Sequence, residues 1–480
     1  MAALVLVATA CGNDDDDGGA PAPTVAEEEA PMDDAEPMDD AEPMDDAEPM
    51  DDAEPMDDAE PMDDAEPMDD AEPMDDAEPM DDAEPMDSRT WGAFTYEIDF
   101  EPSTRGVTDD TVRIGAMTQS ALYAGYEDGV NARLQRANRD GELPGGRSLE
   151  LVQFVDDGSD PQANFDGARS MVENDEVFGI VVTSAVSLPQ TTDYLHENQV
   201  PFTGWGFMPG FCAPNAWGFG MNGCLSGYAF GVEGAEPLVS VQRFWADYFG
   251  TEDFTVGIFN SDDDAGRAGA TLYETVWGDQ LVFNEFVPTE SAGGITDPTR
   301  FVNTVLDTDP DVVINSTDFA GAITLKASIS AAGWDGVVAD YLTYVPGLPQ
   351  LSPDLGFALE GGYAVTQVPP LDSSQPAIQQ LLADFDAVEA FPGFGSMVGY
   401  WSADLLVQMI AAAGEDLNTA SFYQAINIDG FQSSQQAGGL GEVRFPADHV
   451  IAPDCAGMVQ VVDGEFEVAY PFVCYGEPDR

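Results

Sequence analysis

The chain has 480 residues, with 91 Asp and Glu against 14 Lys and Arg, a formal net charge of −77. That balance excludes a nucleic-acid partner, which needs clustered bases, and argues against binding to anionic membrane surfaces. The acidic surface and single lysine, Lys326, suit either concentrated salt, where screening removes self-repulsion, or an ordinary acidic extracytoplasmic protein.

The first stretch, "MAALVLVATACGNDDDD", carries an apolar run from Ala2 to Ala10 that is too short to span a bilayer and ends at Cys11. It resembles the end of a bacterial lipoprotein signal, in which the cysteine becomes the lipidated first residue. Ala8 stands where Leu is usual and no base precedes the run, so residues 1–11 read as a truncated signal. An ordinary cleaved signal with an incidental cysteine is the other reading.

A hexad, P-M-D-D-A-E, then repeats without variation from Pro31 to Asp87. Proline every sixth residue removes a backbone donor and interrupts helix, and three acids per unit repel along the chain. Residues 12–106 are therefore predicted to be a disordered tether and linker, the repeat itself reaching at most roughly 180 Å in a polyproline-like form. The first 87 residues hold 35 of the acids and no base, so the rest of the chain is strongly acidic in its own right.

Five cysteines leave two pairs once Cys11 is set aside. The local solution, one of three connectivities, joins Cys212 to Cys224 and Cys455 to Cys474. Each such loop stabilises by about 3 kcal/mol in the chain-entropy model and implies an oxidising compartment. Four buried free thiols are the alternative.

From residue 107 the pattern alternates apolar strands with amphipathic helices. Strands are predicted at 111–117, 148–155, 177–183 and 200–206, with helices over 125–139, from Pro161 behind the cap Asp160, and near 188–198. A second series has a helix over 236–249, strands at 254–260, 280–287, 311–315 and 336–342, and helices near 266–276, 299–306 and 320–332. Two runs of β-α-β units predict an α/β fold of two doubly wound parallel-sheet lobes, with ligands at the C-terminal strand ends.

The succession "VRIGAM", "FVDDGSDPQAN", "GIVVTSA", "VPFTGWG", "VGIFNSDDDAG" and "DVVINSTDFAGAITLKASISAAGW" resembles type I periplasmic binding proteins of the leucine/isoleucine/valine-binding group, over about residues 107–475. The resemblance implies a two-lobed receptor, with three hinge crossings, that closes on a small molecule and delivers it to an ABC permease. It implies lobe one at 107–232 and 367–440 and lobe two at 233–366 and 441–480. It also implies a ligand carboxylate held by Ser184 and the backbone beside it at Ala185; a helix N-terminus favours an anion, and a plain N-cap at Ser184 is the other reading.

Trp205 and Phe207 in "TGWGF" read either as a stacking wall or as packing for the cysteine-bracketed loop, and Tyr123 as a further wall. Lobe two departs from the family, with Ala265 where a contacting Tyr is common and no matched acid for an α-ammonium. Asp318, Phe319 and Tyr344 are the candidate substitutes. These departures count against an ordinary α-amino acid; the expected ligand is amino-acid-like, an amide, a carboxylate, an aromatic or a polyamine-like solute.

"GFGMNG" matches G-x-G-x-x-G, but with no strand read before it and no helix after it, dinucleotide binding is rejected. Asp262 to Asp264 read as a solvated helix start rather than a Ca²⁺ site, and His196 and His449 lack metal-ligand spacing. No catalytic residue, metal or cofactor is expected. The whole reads as a lipid-anchored solute-binding protein outside the cytoplasm; the alternatives are a ligand-sensing module for a membrane receptor and a surface spacer or adhesion protein.

Overall fold

Strand and helix alternation resolves into two sheets wound the same way. The computed structural model describes Thr90, Trp91 and residues 94–474, apart from 121, 226, 236–239, 347–352, 372–374, 435, 437 and 453–454. The predicted signal, with Cys11, and the repeat lie outside the described residues.

The first sheet holds β1 (Thr111–Thr118), β2 (Ser148–Asp156), β3 (Gly179–Thr183), β4 (Phe202–Gly204) and β5 (Gly218–Gly220), all parallel in the order β2-β1-β3-β4-β5. Its early helices are α1 (Tyr126–Asp140), α2 (Pro161–Glu173) and α3 (Pro189–Glu197). The predicted cap is realised: the Asp160 side chain accepts from the Gln162 amide at 2.8 Å. β5 is the first half of "GFGMNG", a stretch to which the sequence reading assigned no element. Here glycine is required by close approach, since a Cβ on Gly218 or Gly220 would lie about 2 Å from the carbonyl oxygen of Gly210 or Gly223.

The second sheet runs β12-β11-β10-β9-β8-β6-β7, from β6 (Val256–Ser261), β7 (Leu281–Val287), β8 (Val312–Ser316), β9 (Val337–Asp340), β10 (Tyr363–Thr366), β11 (Cys455–Val462) and β12 (Glu465–Cys474). The first five are parallel and the last two antiparallel. α4 (Ser240–Phe249) and α5 (Asp264–Trp277) supply apolar side chains to the core on one face, α6 (Thr299–Thr308) and α7 (Phe319–Ala331) to that on the other. Disulfides Cys212–Cys224 and Cys455–Cys474 are both formed, the second between opposed residues of β11 and β12.

After β10 the chain returns to lobe one with α8 (Pro353–Leu359) behind it and α9 (Pro376–Ala387) and α10 (Phe394–Ala413) ahead. α10 packs on α1 at backbone distance: a Cβ on Gly129 would stand 1.9 Å from the Ser396 carbonyl oxygen, and one on Gly399 2.3 Å from that of Tyr126. Buried Arg133 of α1 ties the pair, its Nε 2.5 Å from Asp404 of α10, with Glu142 on its Nη atoms. Removing one member of such a pair strands a buried charge.

Two expected boundaries move. Residues expected in the linker pack on lobe one: Tyr96 stacks on His449, Phe100 meets Trp217, and Arg105 donates to the carbonyls of Val177, Asn198 and Gln199. Those carbonyls precede β3 and β4, at the sheet end away from the C-terminal strand ends. Residues just after 440, expected in lobe two, also stay with lobe one. Arg444–Phe445 ladders with Phe431–Gln432, and the Phe445 and His449 rings lie 5.0 and 5.2 Å from Phe219. Aromatic burial against β5 keeps the chain with lobe one as far as Ile451, whose carbonyl accepts from the Cys224 amide.

His449 is fully buried, its Nε2 3.0 Å from Asn427 Oδ1, and burial pushes its pKa down to about 3. The unfolded chain takes a proton near pH 6.5 that the folded chain refuses until about pH 3. This contribution to stability is full above pH 6.5 and is lost as the pH falls through that window. His449→Gln should therefore show a shallower fall in unfolding free energy from pH 6.5 to 4 than the parent, by up to about 1.4 kcal/mol per unit. Urea titrations at each pH measure it, and parallel profiles would contradict it.

Candidate functional site

A cavity of about 470 Å³ lies where the C-terminal strand ends of both sheets meet. Lobe one contributes Leu122 and Tyr123 after β1, Ala185 after β3, and Trp205 and Phe207 after β4. Lobe two contributes Ser261 and Ser316, the last residues of β6 and β8, Asp318 just after β8, and Tyr341 after β9. These are the loop positions at which doubly wound sheets offer ligand contacts.

The lobe-one wall is an aromatic box. Trp205 sits edge-on to Tyr123, Phe207 and Phe394 at centroid distances of 6.1, 5.1 and 5.3 Å. Its backbone amide donates to Thr183 Oγ1 at 3.1 Å, and its Nε1 donates to Gln367 Oε1 at 2.6 Å. Gln367 follows β10 in the segment that crosses between lobes, so the indole is held by the hinge. Asn222 Nδ2 donates to the same oxygen at 3.4 Å.

The lobe-two wall is set by helix starts. Asp263 caps α5 by accepting from the Gly266 amide at 2.7 Å. Asp318 caps α7 by accepting from Gly321 at 2.7 Å and also takes the Glu290 amide at 2.6 Å. Tyr273 of α5 donates to Ser316 Oγ at 3.3 Å. Burial pushes the phenols of Tyr123, Tyr273 and Tyr341 up, which keeps all three as neutral donors.

Of the residues singled out in the sequence, Tyr123, Ala185, Trp205, Phe207 and Asp318 line this cavity together. Three stand elsewhere. Ser184 is buried and its hydroxyl accepts from the Val186 amide at 3.2 Å; it is not the N-cap of α3, which begins at Pro189 behind Leu188. Phe319 is the first residue of α7 and is not among the lining residues. Tyr344 is buried against Phe466, with its hydroxyl accepting from the Leu371 amide at 2.8 Å.

Sequence reasoning missed Gln367, Tyr273, Trp277 and Tyr341. The helix residues look like ordinary core on an amphipathic stripe, and Gln367 lies in a crossing segment that carries no pattern. The acid in "ADYLTY", Asp340, is spent on its own turn, accepting from the amides of Leu342 and Thr343 and from Thr343 Oγ1 at 2.7–2.8 Å. Lys326 is buried nearby, where burial, opposed by Asp340 and Glu360, pushes its amine down to about 8. Asp262 pairs with Arg267 on the surface. Among the described residues no cluster of metal-binding side chains occurs, and no helix is long and apolar enough to cross a membrane.

The sequence profile of periplasmic binding proteins matches residues 112–465. No curated protein matches the chain. The structure is similar to a fatty acid ABC transporter substrate-binding protein from Thermomonospora curvata, with 17% identity and a TM-score of 0.62 over 77% of this chain and 94% of that one. A leucine-binding protein from Thermotoga maritima matches at 15% identity and a TM-score of 0.59, over 77% and 99%. A solute-binding protein of an ABC transporter from R. palustris, in complex with 4-hydroxybenzoate, matches at 16% identity and 0.58, over 77% and 100%. At these identities the structural likeness is one of fold, and the profile match spans most of the chain. The chain belongs to the periplasmic binding proteins, an extracytoplasmic family, and has their type I fold.

Proposed function

We propose that this protein is a lipid-anchored receptor that closes on a small solute in the cleft and delivers it to an ABC permease. The observation that carries the reading is the cavity itself: its walls come from the strand ends of two lobes joined by three chain crossings, so a bound molecule touches both. A ligand with contacts to both lobes favours the closed arrangement by its differential affinity for it. The structural relatives bind a fatty acid, leucine or 4-hydroxybenzoate by their names, which supports a small organic solute.

Cys11, followed by the acidic repeat, supports a membrane anchor and a tether. The repeat has only Met and Ala as apolar side chains, too little to build a core, and lobe one holds Arg105 at the sheet end away from the cavity. In a bacterial host that processes lipoproteins, the chain given a basic leader segment ahead of Met1 should fractionate with the membrane, and Cys11→Ser in the same context should move it to the soluble fraction. An unchanged distribution would overturn the anchor.

The binding function is tested by melting the full chain against a panel of small organic solutes. A true ligand at a hundredfold excess over Kd should stabilise the folded state by about 2.7 kcal/mol. Trp205→Ala should weaken that ligand roughly tenfold, the worth of one stacked aromatic. A panel with no stabilising solute would contradict the receptor function.

A further inference from the structure

The inference rests on the solute-binding reading of the cleft and concerns which solute it takes. The cavity continues past the lobe boundary. Six of its lining residues belong to α5: Gly266, Gly269, Leu272, Tyr273, Val276 and Trp277. Their spacing of three, three, one, three and one is a single helix stripe, and its eleven steps cover about 16 Å. Gly266 and Gly269 open the stripe without side chains, and Tyr273, Val276 and Trp277 end it within the apolar cluster of lobe two. The space is therefore a slot leading from the cleft into the second lobe. A compact amino acid would leave most of that apolar length unfilled, without the dispersion contacts that favour binding.

Charge narrows the class further. The N-termini of α3, α5 and α7 all meet this cavity, and helix N-termini ordinarily favour anions. Each is already satisfied or depleted. α3 opens with Pro189, which has no N–H, and the Thr191 and Thr192 amides bond to the Leu188 carbonyl. α5 and α7 carry the carboxylates of Asp263 and Asp318 as caps. Among the described residues lining the cavity there is no Lys, Arg or His, so an anionic end would meet two carboxylates and no cation. What remains is neutral. The Tyr341 hydroxyl is buried beside that of Tyr273, whose own proton goes to Ser316, and it has no partner of good hydrogen-bond geometry among the described residues; the Ser316 hydroxyl also lines the space.

We propose that the cleft takes an elongated, mainly apolar molecule with an uncharged hydrogen-bonding end, such as a hydroxyl, carbonyl or amide. Its apolar length lies along α5, and its polar end is within reach of Tyr341 and Ser316.

Isothermal titration of the full chain with a ten-carbon alcohol, the ten-carbon amide, the ten-carbon carboxylate and leucine tests this directly. The alcohol and amide should bind at least tenfold tighter than the carboxylate or leucine. Gly269→Leu should weaken the long neutral ligands at least tenfold, because its side chain enters the slot. Gly269→Ala is the folding control, since a Cβ there meets only Tyr273 and Asn260 at ordinary distances of 3.7 and 3.9 Å. Its melting temperature should equal or exceed the parent's, since Ala favours a helix interior over Gly, with only a small loss of affinity. A carboxylate that binds as well as the amide would overturn the neutral end. Leucine binding best, or full long-chain affinity in Gly269→Leu, would overturn the slot and leave the receptor function standing. If none of the four binds, the inference fails; the receptor function fails with it only if the wider panel also gives no ligand.

Discussion

The return of α10 onto α1 is the constraint on which the rest depends. A helix that follows lobe two in sequence must pack in lobe one, so the chain has to cross between lobes more than once. The contact is made at backbone range through Gly129 and Gly399, where any side chain would meet a carbonyl oxygen. The Arg133–Asp404 pair fixes the register, because a buried guanidinium has few acceptable positions. Once α10 is seated, β10 and the segment carrying Gln367 form one strut of a hinge, and the cleft follows.

The cleft owes its walls to strand order. Both sheets follow the 2-1-3-4-5 winding in their parallel parts, so the loops after the first, third and fourth strands of each converge at one level. Trp205 links this geometry to the hinge. Its ring belongs to the lobe-one box while its indole N–H bonds to Gln367, so a change in the crossing segment is felt directly at the wall that would face a solute.

The alternation of strands and helices was legible because each carried a local physical signal: apolar runs for strands buried on both faces, and caps such as Asp160 with Pro161 for helices. Gly218–Gly220 was not, since glycine is a poor strand signal and is needed here for close packing. α10 was equally hard to read. It is buried on nearly every side and so has no polar stripe to mark its period. At the site, Trp205, Phe207 and Tyr123 stood out as large aromatics in strand-end loops. Tyr273 and Trp277 did not, because residues that line a slot inside a lobe share the helical spacing of residues that fill a core. Asp318 was visible as an acid at a strand end, but its second engagement is tertiary knowledge: one oxygen caps its own helix α7 through the Gly321 amide while the other takes the distant Glu290 amide.

The claim that the two lobes close on a solute is tested most directly by a distance across the cleft. Fluorophores placed by nonsense suppression at exposed Gln162, after β2, and exposed Asp297, after β7, leave the four disulfide cysteines intact. Energy transfer between them should rise on adding the stabilising solute, in proportion to occupancy, as the strand ends approach. Saturating solute with no change in transfer would mean that binding occurs without closure, and the receptor mechanism described here would be wrong.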